Sequence, residues 1–173
     1  LVEFHSKANA LTDESMEIVA AAAADHGKGI IIHNDAQHFS AGVDLNAFRA
    51  YIEAEDWDGI DGFLDRFQKA VCALKYTPVP VVGAPSGLAA GGGYEVLAHC
   101  DRLVVHTNSV MGLVEAGVGV VPGGGGIKDT FFRWHAAKDS WDEAAWQTWM
   151  NIGYGNTGSC LLYTSDAADD DTR

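Results

Sequence analysis

A chain of 173 residues with 47% hydrophobic content carries enough apolar material for one packed domain, which excludes an intrinsically disordered tail. Its three cysteines, Cys72, Cys100 and Cys160, are too few and too scattered for a disulfide scaffold or a metal knuckle, and read as reduced thiols of a cytoplasmic protein. A formal net charge of −13 argues against nucleic acid as a partner, since phosphate binding draws on clustered bases.

The opening LVEFHSKANAL lacks a secretory signal and an initiator Met, so the expectation is a start inside a longer protein. Thr12 is placed to cap a helix in which Met16, Val19, Ala20 and Ala23 recur at helical spacing, until Gly27 and Gly29 end it. Gly29 to His33 is a β-branched run that predicts a buried strand. A turn at Asn34 leads to Phe39-Ser40-Ala41-Gly42-Val43, and helical spacing returns from Asp44 to about Ala54. Residues 50–66 hold six acids and one base, the pattern of a solvated helix face or lid. Leu64, Phe67, Val71 and Leu74 then form a helical stripe, and Val79 to Gly83 predicts a strand entered through prolines. A glycine-rich stretch, a helix from about Gly92 to His99 and strands at Arg102 to His106 and Val110 to Leu113 follow, before a helix from about Ile127. Strand and helix alternate, which predicts an α/β fold. No apolar run reaches 18 residues, so no membrane partner is expected. Residues 160–173 are acidic, carry no strand or helix pattern and are similar to a translated sequencing-library adapter. They are expected to lie outside a domain of residues 1–159.

Several motifs fail on inspection. Gly117-Val118-Gly119-Val120-Val121-Pro122 has Pro122 where a dinucleotide fingerprint needs glycine, and Gly126-Ile127-Lys128-Asp129 is not a P-loop ending. Ser86 does not sit in a nucleophile elbow, and the seven histidines show no metal spacing, so His33, His38 and His99 read as structural or surface residues. What remains is backbone and carboxylate. Seven of the twenty glycines cluster at Gly91-Gly92-Gly93 and Gly123 through Gly126, where unpaired N–H groups at a helix entrance can face a ligand, an anion included. Glu95 lies in the first turn of that helix, and Glu115, between Val114 and Ala116, precedes the second glycine run. Acids in apolar surroundings suit proton transfer. Residue by residue, a helix-N-terminal acid and a surface-loop acid fit Glu95 and Glu115 as well.

Four segments in order then resemble the crotonase, or enoyl-CoA hydratase/isomerase, superfamily: Asn9-Ala10-Leu11, FSAGVDL from Phe39, PVVGAPSGLAAGGGYEVLAHCD from Pro80, and MGLVEAGVGVVPGGGG from Met111. The resemblance covers residues 5–135 and is similar in flavour to crotonase domains fused to an NAD-dependent 3-hydroxyacyl-CoA dehydrogenase. It implies a ClpP-like crotonase spiral of ββα units, here lacking its C-terminal helical part. It implies an oxyanion hole built from the N–H groups of Val43 and Gly92, and a catalytic pair, Glu95 and Glu115, that holds a water. Ala41, Gly42, Asp44 and Leu45 would line the CoA side. Lys7 and Lys75 are candidates for its phosphates but read first as exposed lysines. The implied activity is hydration of a 2-enoyl-CoA to a 3-hydroxyacyl-CoA in fatty-acid β-oxidation. The alternatives are Δ3-Δ2-enoyl-CoA isomerisation and a non-catalytic acyl-CoA-binding module. No metal and no resident cofactor are expected, the acyl-CoA being substrate and any NAD belonging to a fused domain outside the chain. The complete protein is expected to be a homo-oligomer or a multifunctional fusion.

Overall fold

The computed structural model describes residues 1–154 and 157–158. The expected tail at 160–173, with Cys160, lies outside the described residues. Six short strands form: β1 (Ile30–Ile32), β2 (Val81–Gly83), β3 (Leu88–Ala90), β4 (Arg102–Leu103), β5 (Val110–Gly112) and β6 (Thr157–Gly158). They are joined by helices α1 (Asp13–Ala24), α2 (Leu45–Glu53), α3 (Trp57–Lys75), α4 (Gly92–Ala98), α5 (Gly126–Lys138) and α6 (Trp141–Tyr154). One sheet runs β1-β2-β4, all parallel, and the other β3-β5-β6, with β6 antiparallel to β5. Single bridges Val2–Ile32, Ser40–Ala89 and Leu11–Val43 extend both sheets toward the N-terminus. The chain therefore winds so that each turn lays one extended segment in each sheet and then crosses over through a helix, as parallel pairing requires. β2, β3 and α4 make one turn, and β4, β5 and α5 the next.

Local chemistry sets the element ends. Thr12 and Ser15 form a reciprocal capping box at the start of α1. Asp44 caps α2 by accepting from Asn46 N at 2.9 Å, and Asp56 caps α3 through Gly59 N at 2.9 Å. β2 starts at Val81 because Pro78 and Pro80 have no N–H to give the ladder, while Pro80 O accepts from Ile30 N at 2.8 Å. The strand expected to reach His106 ends at Leu103. Beyond it Val104 and His106 donate to Gly83 O and Pro85 O, so the chain still follows its neighbour without a regular ladder. Helix α6 was not expected from the sequence, although Ser140 accepts from Glu143 N at 3.3 Å as its cap.

Leu11, Ile32, Phe39, Phe67, Leu74, Leu97 and Leu113 fill the core between sheets and helices. Phe63, Phe67, Ala70, Val71 and Leu74 are the buried stripe of α3, with Phe63 taking the place expected for Leu64, which is half-buried. α2 buries no residue fully, in keeping with the expected solvated face. Cys72 and Cys100 are free thiols, and burial pushes that of Cys100 up to about 12. Asn34 holds the entrance to the second turn: its Oδ1 accepts from Phe4 N at 2.7 Å, and its amide donates to Phe39 O. Asn34→Ala would leave both buried main-chain groups without partners. It is expected to lower unfolding free energy by about 2–5 kcal/mol in urea titration, whereas a change under 1 kcal/mol would show that other groups replace the clamp.

Candidate active site

The site gathers groups from three successive turns of the spiral. Between the bridges at Ser40 and Val43 the chain turns at Gly42, and from Ser40 to Asp44 its N–H groups can be followed one at a time. Ser40 donates to Leu88 O at 3.0 Å, Ala41 to Ala8 O at 3.1 Å, Gly42 to Ser40 Oγ at 3.1 Å and Asp44 to Leu11 O at 2.9 Å. Val43 alone in this run has no acceptor among the described residues. Its bridge with Leu11 uses the N–H of Leu11 and Asp44, which turns Val43's own N–H to the opposite side.

Gly91 N is spent on Gly112 O at 2.9 Å, and Glu95 N on Gly91 O at 2.9 Å, the first turn of α4. Gly92 N has no acceptor among the described residues, as the orphan donors at a helix start allow. Glycine is needed on both sides of this approach. Gly42 has φ +96°, and a Cβ there would stand 3.0 Å from Ala90 O and 3.7 Å from Gly92 N; a Cβ on Gly92 would stand 2.9 Å from Val43 Cγ2. The two free donors thus sit side by side.

Glu95 is 2% exposed on α4, and its Oε1 accepts from Gly124 N and Gly126 N, each at 2.9 Å. Burial pushes its carboxyl up to about 7, helped by the Glu115 charge and opposed by the two N–H bonds, which favour the ionised form. The second glycine run exists to let this happen. A Cβ on Gly124 would lie 2.5 Å from Glu95 Oε2 and 2.4 Å from Phe67 Cε1, and one on Gly126 would lie 2.8 Å from Glu95 Cγ.

Glu115 opens a 3-10 turn after β5 (Glu115–Val118) and is half-buried. Its Oε2 accepts from Val114 N at 2.8 Å, and burial raises its carboxyl above the ordinary range. The same carboxylate stands against Gly91, where a Cβ would lie 2.8 Å from its Oε1, so it flanks the Gly92 donor directly. Two carboxylates with raised proton affinity and two neighbouring N–H donors without acceptors can move protons beside a polarised carbonyl oxygen.

Of the other expected positions, Gly42 is buried in the approach just described, Ala41 and Leu45 are exposed, and Asp44 is occupied as the α2 cap. Because the N–H groups of Ala41, Gly42 and Asp44 are all spent, contact with a ligand at these three would run through carbonyls and side chains. Lys75, read as an exposed lysine, instead pairs with the fully buried Asp129 across α3 and α5, because Asp129 needs a counter-charge. His33 and His38 serve the backbone, His33 Nδ1 donating to Ala84 O at 2.8 Å and His38 Nδ1 accepting from Leu88 N at 3.1 Å. Among the described residues no cluster of three or more His, Cys, Asp and Glu could hold a metal, and no helix is long and apolar enough to cross a membrane. Sequence reasoning gave Asp129 no role. Two local bases, Lys128 beside it and Arg133 four residues on, made Asp129 read as an ordinary helix-surface acid.

The architecture is the crotonase fold. A solved enoyl-CoA hydratase from Polaromonas sp. JS666 superposes with a TM-score of 0.72 at 23% identity, covering 88% of this chain and 58% of that one. Residues 2–134 match the family described as enoyl-CoA hydratase/isomerase, and the chain belongs to that family. A probable 3-hydroxyacyl-CoA dehydrogenase of Bacillus subtilis (strain 168) is 34% identical over 136 residues, 77% of this chain and 17% of that protein. A putative fatty acid oxidation complex trifunctional enzyme of Rickettsia felis is 35% identical over 118 residues, 68% of this chain and 16% of that protein. The chain thus spans about a sixth of the length of these curated relatives.

Proposed function

We propose that this chain hydrates a 2-enoyl-CoA to the 3-hydroxyacyl-CoA, as a step of fatty-acid β-oxidation. The observation that carries the reading is the pairing of Glu95 and Glu115, both with raised proton affinity and near enough for the Glu115 charge to act on Glu95, with Glu115 against Gly91 next to the Gly92 donor. The thioester oxygen accepts from Val43 N and Gly92 N, which offset the negative charge it gains as an enolate forms. A water lies between the carboxyl groups. Its oxygen bonds to C3 as one carboxylate takes its proton, the C2=C3 π electrons move toward the thioester, and the other, protonated, acid delivers a proton to C2. The two glutamates titrate as a pair and are assigned jointly to these steps. Oxidation of the product belongs to residues outside the chain, in a multifunctional protein of the kind its relatives' names describe.

One observation favours a second reading. Glu95 is buried with its Oε1 fixed by two main-chain donors from another segment, whereas Glu115 is half-buried and held only by N–H groups of its own turn, Val114 and Glu115, so Glu115 is the freer to carry a proton from C4 to C2 of a 3-enoyl-CoA, an isomerisation. Crotonyl-CoA and a 3-enoyl-CoA offered separately to the protein carrying this chain decide between them. Loss of the crotonyl chromophore at a rate well above the 3-enoyl reaction is the expected result. Tight acyl-CoA binding in calorimetry without turnover of either would replace both readings with a non-catalytic binding module.

A further inference from the structure

Behind Glu95 lies a buried polar cluster with no part in the chemistry above. His99, one helical turn after Glu95 and capping the C-terminus of α4, is 1% exposed; its Nδ1 donates to Glu95 O at 2.7 Å and its Nε2 faces the Asp129 carboxylate. Asp129 is 0% exposed, and it meets Lys75 through its other carboxylate oxygen. Its main-chain N–H also donates to Gly125 O at 3.1 Å. Gly125 stands between the two donors that hold Glu95, and a Cβ there would lie 3.3 Å from His99 Cε1 and Nε2. The imidazole therefore lies under the middle of the turn, while Asp129 grips that turn by main chain and the imidazole by side chain.

We propose that His99 is a positioning residue, which with Asp129 and Lys75 props the 123–126 turn so that the N–H groups of Gly124 and Gly126 stay on the Glu95 carboxylate. His99 lies against Gly125 and is tied to α5 by the Asp129 carboxylate, which Lys75 of α3 also meets, and a hydrophobic trio would fill the same space without tying the imidazole under the turn to the helix that follows it. The pairing with Lys75 and His99 holds Asp129 well below the usual carboxylate range, so it remains a charged acceptor throughout neutral pH. The charged and titratable groups around Glu95 are Lys75 from α3, His99 at the end of α4, Asp129 from α5, and Glu115 from the 3-10 turn. Arg133 of α5 caps the end of α4 at Ala98 O and Cys100 O. Among these, only the His99–Asp129 pair bears on the turn that carries the Glu95 donors.

This inference deepens the reading of Glu95 as an acid–base group, yet its test reads the carboxyl itself and not turnover. In isotope-edited infrared titration, the Glu95 band is the one missing from Glu95→Gln. With the prop removed in His99→Ala, the two N–H bonds slacken and the ionised form loses them. The Glu95 titration is then expected to rise by about one pH unit, a tenfold change in proton affinity. A glutamine amide reaches about as far as Nε2 and an asparagine amide about as far as Nδ1. His99→Gln is therefore expected to titrate near the unsubstituted protein and His99→Asn to shift upward. This pair decides the matter if the alanine variant does not fold, and Lys75→Met, altered at the part-exposed end of the cluster, is expected to shift in the same direction by less. An unmoved Glu95 band in His99→Ala, or Gln and Asn variants that titrate alike, would overturn the proposal. Full hydration by Glu95→Gln would instead overturn the catalytic reading and leave the infrared result standing.

Discussion

Glu95→Gln is expected to lower the rate of crotonyl-CoA hydration by about 10²–10⁴-fold while leaving the protein folded, the usual span for loss of one general acid–base group. The amide is isosteric, and its oxygen can keep the bonds from Gly124 N and Gly126 N, so the change removes a proton carrier without opening a cavity. Stability should respond in the opposite sense. Glu95's carboxyl is raised in the folded protein to about 7 from an ordinary 4.5, so its contribution is complete below 4.5 and is lost as pH climbs through 7. At 1.36 kcal/mol per unit, that loss is roughly 3 kcal/mol between those limits. Chemical unfolding across pH 4 to 8 should therefore show a slope that Glu95→Gln flattens. A variant with undiminished hydration, or an unchanged slope, would remove Glu95 from the role assigned to it. Glu115, less buried and held by the N–H groups of its own turn, should show a similar activity loss in Glu115→Gln with a weaker effect on the slope.

The second large effect is expected at Gly42→Ala, which adds one methyl group whose nearest neighbours, Ala90 and Gly92 N, include neither glutamate. At φ +96° an alanine is strained by about 1–2 kcal/mol, and its Cβ would press on Ala90 O at 3.0 Å. Either residue 42 rotates, turning the Val43 N–H away, or the 90–92 segment moves and carries the Gly92 N–H with it. Each course costs a donor to the thioester oxygen, worth about 10²–10³ in rate. The loss should fall on kcat more than on KM, because the oxygen carries its charge chiefly in the transition state. A normal kcat with a lowered melting temperature would mean that the donors lie elsewhere.

The two glycine runs stood out in the sequence by composition, but Glu95 and Glu115 were singled out only by the family resemblance carried in their contiguous segments, since residue by residue a helix-N-terminal acid and a surface-loop acid fitted as well. Thr12, the helix after Asp44 and the stripe through Phe67 and Leu74 were legible from a period or a cap within a few residues. The strands were harder. With three residues or fewer in each strand, they offer little alternation, and the crossover winding, not any local preference, decides where pairing stops. Lys75 and Asp129 lie 54 positions apart and meet only after α3 and α5 are packed, so neither reveals the other. His99 looked like a histidine among apolar neighbours, which it is; its bearing on Gly125 exists only in three dimensions.

The winding of strands between two sheets has a bearing on biosynthesis. Val43 comes from one coil, Gly92 and Glu95 from the next, and Glu115 with the glycine N–H groups that grip Glu95 from the one after. In a nascent chain emerging N-terminus first, Gly91 waits for Gly112 O to fix the segment before Gly92, and Glu95 waits for its clamp until α5 is made. The site is thus completed only as the last coil closes, its two N–H donors and its two acids falling into place together.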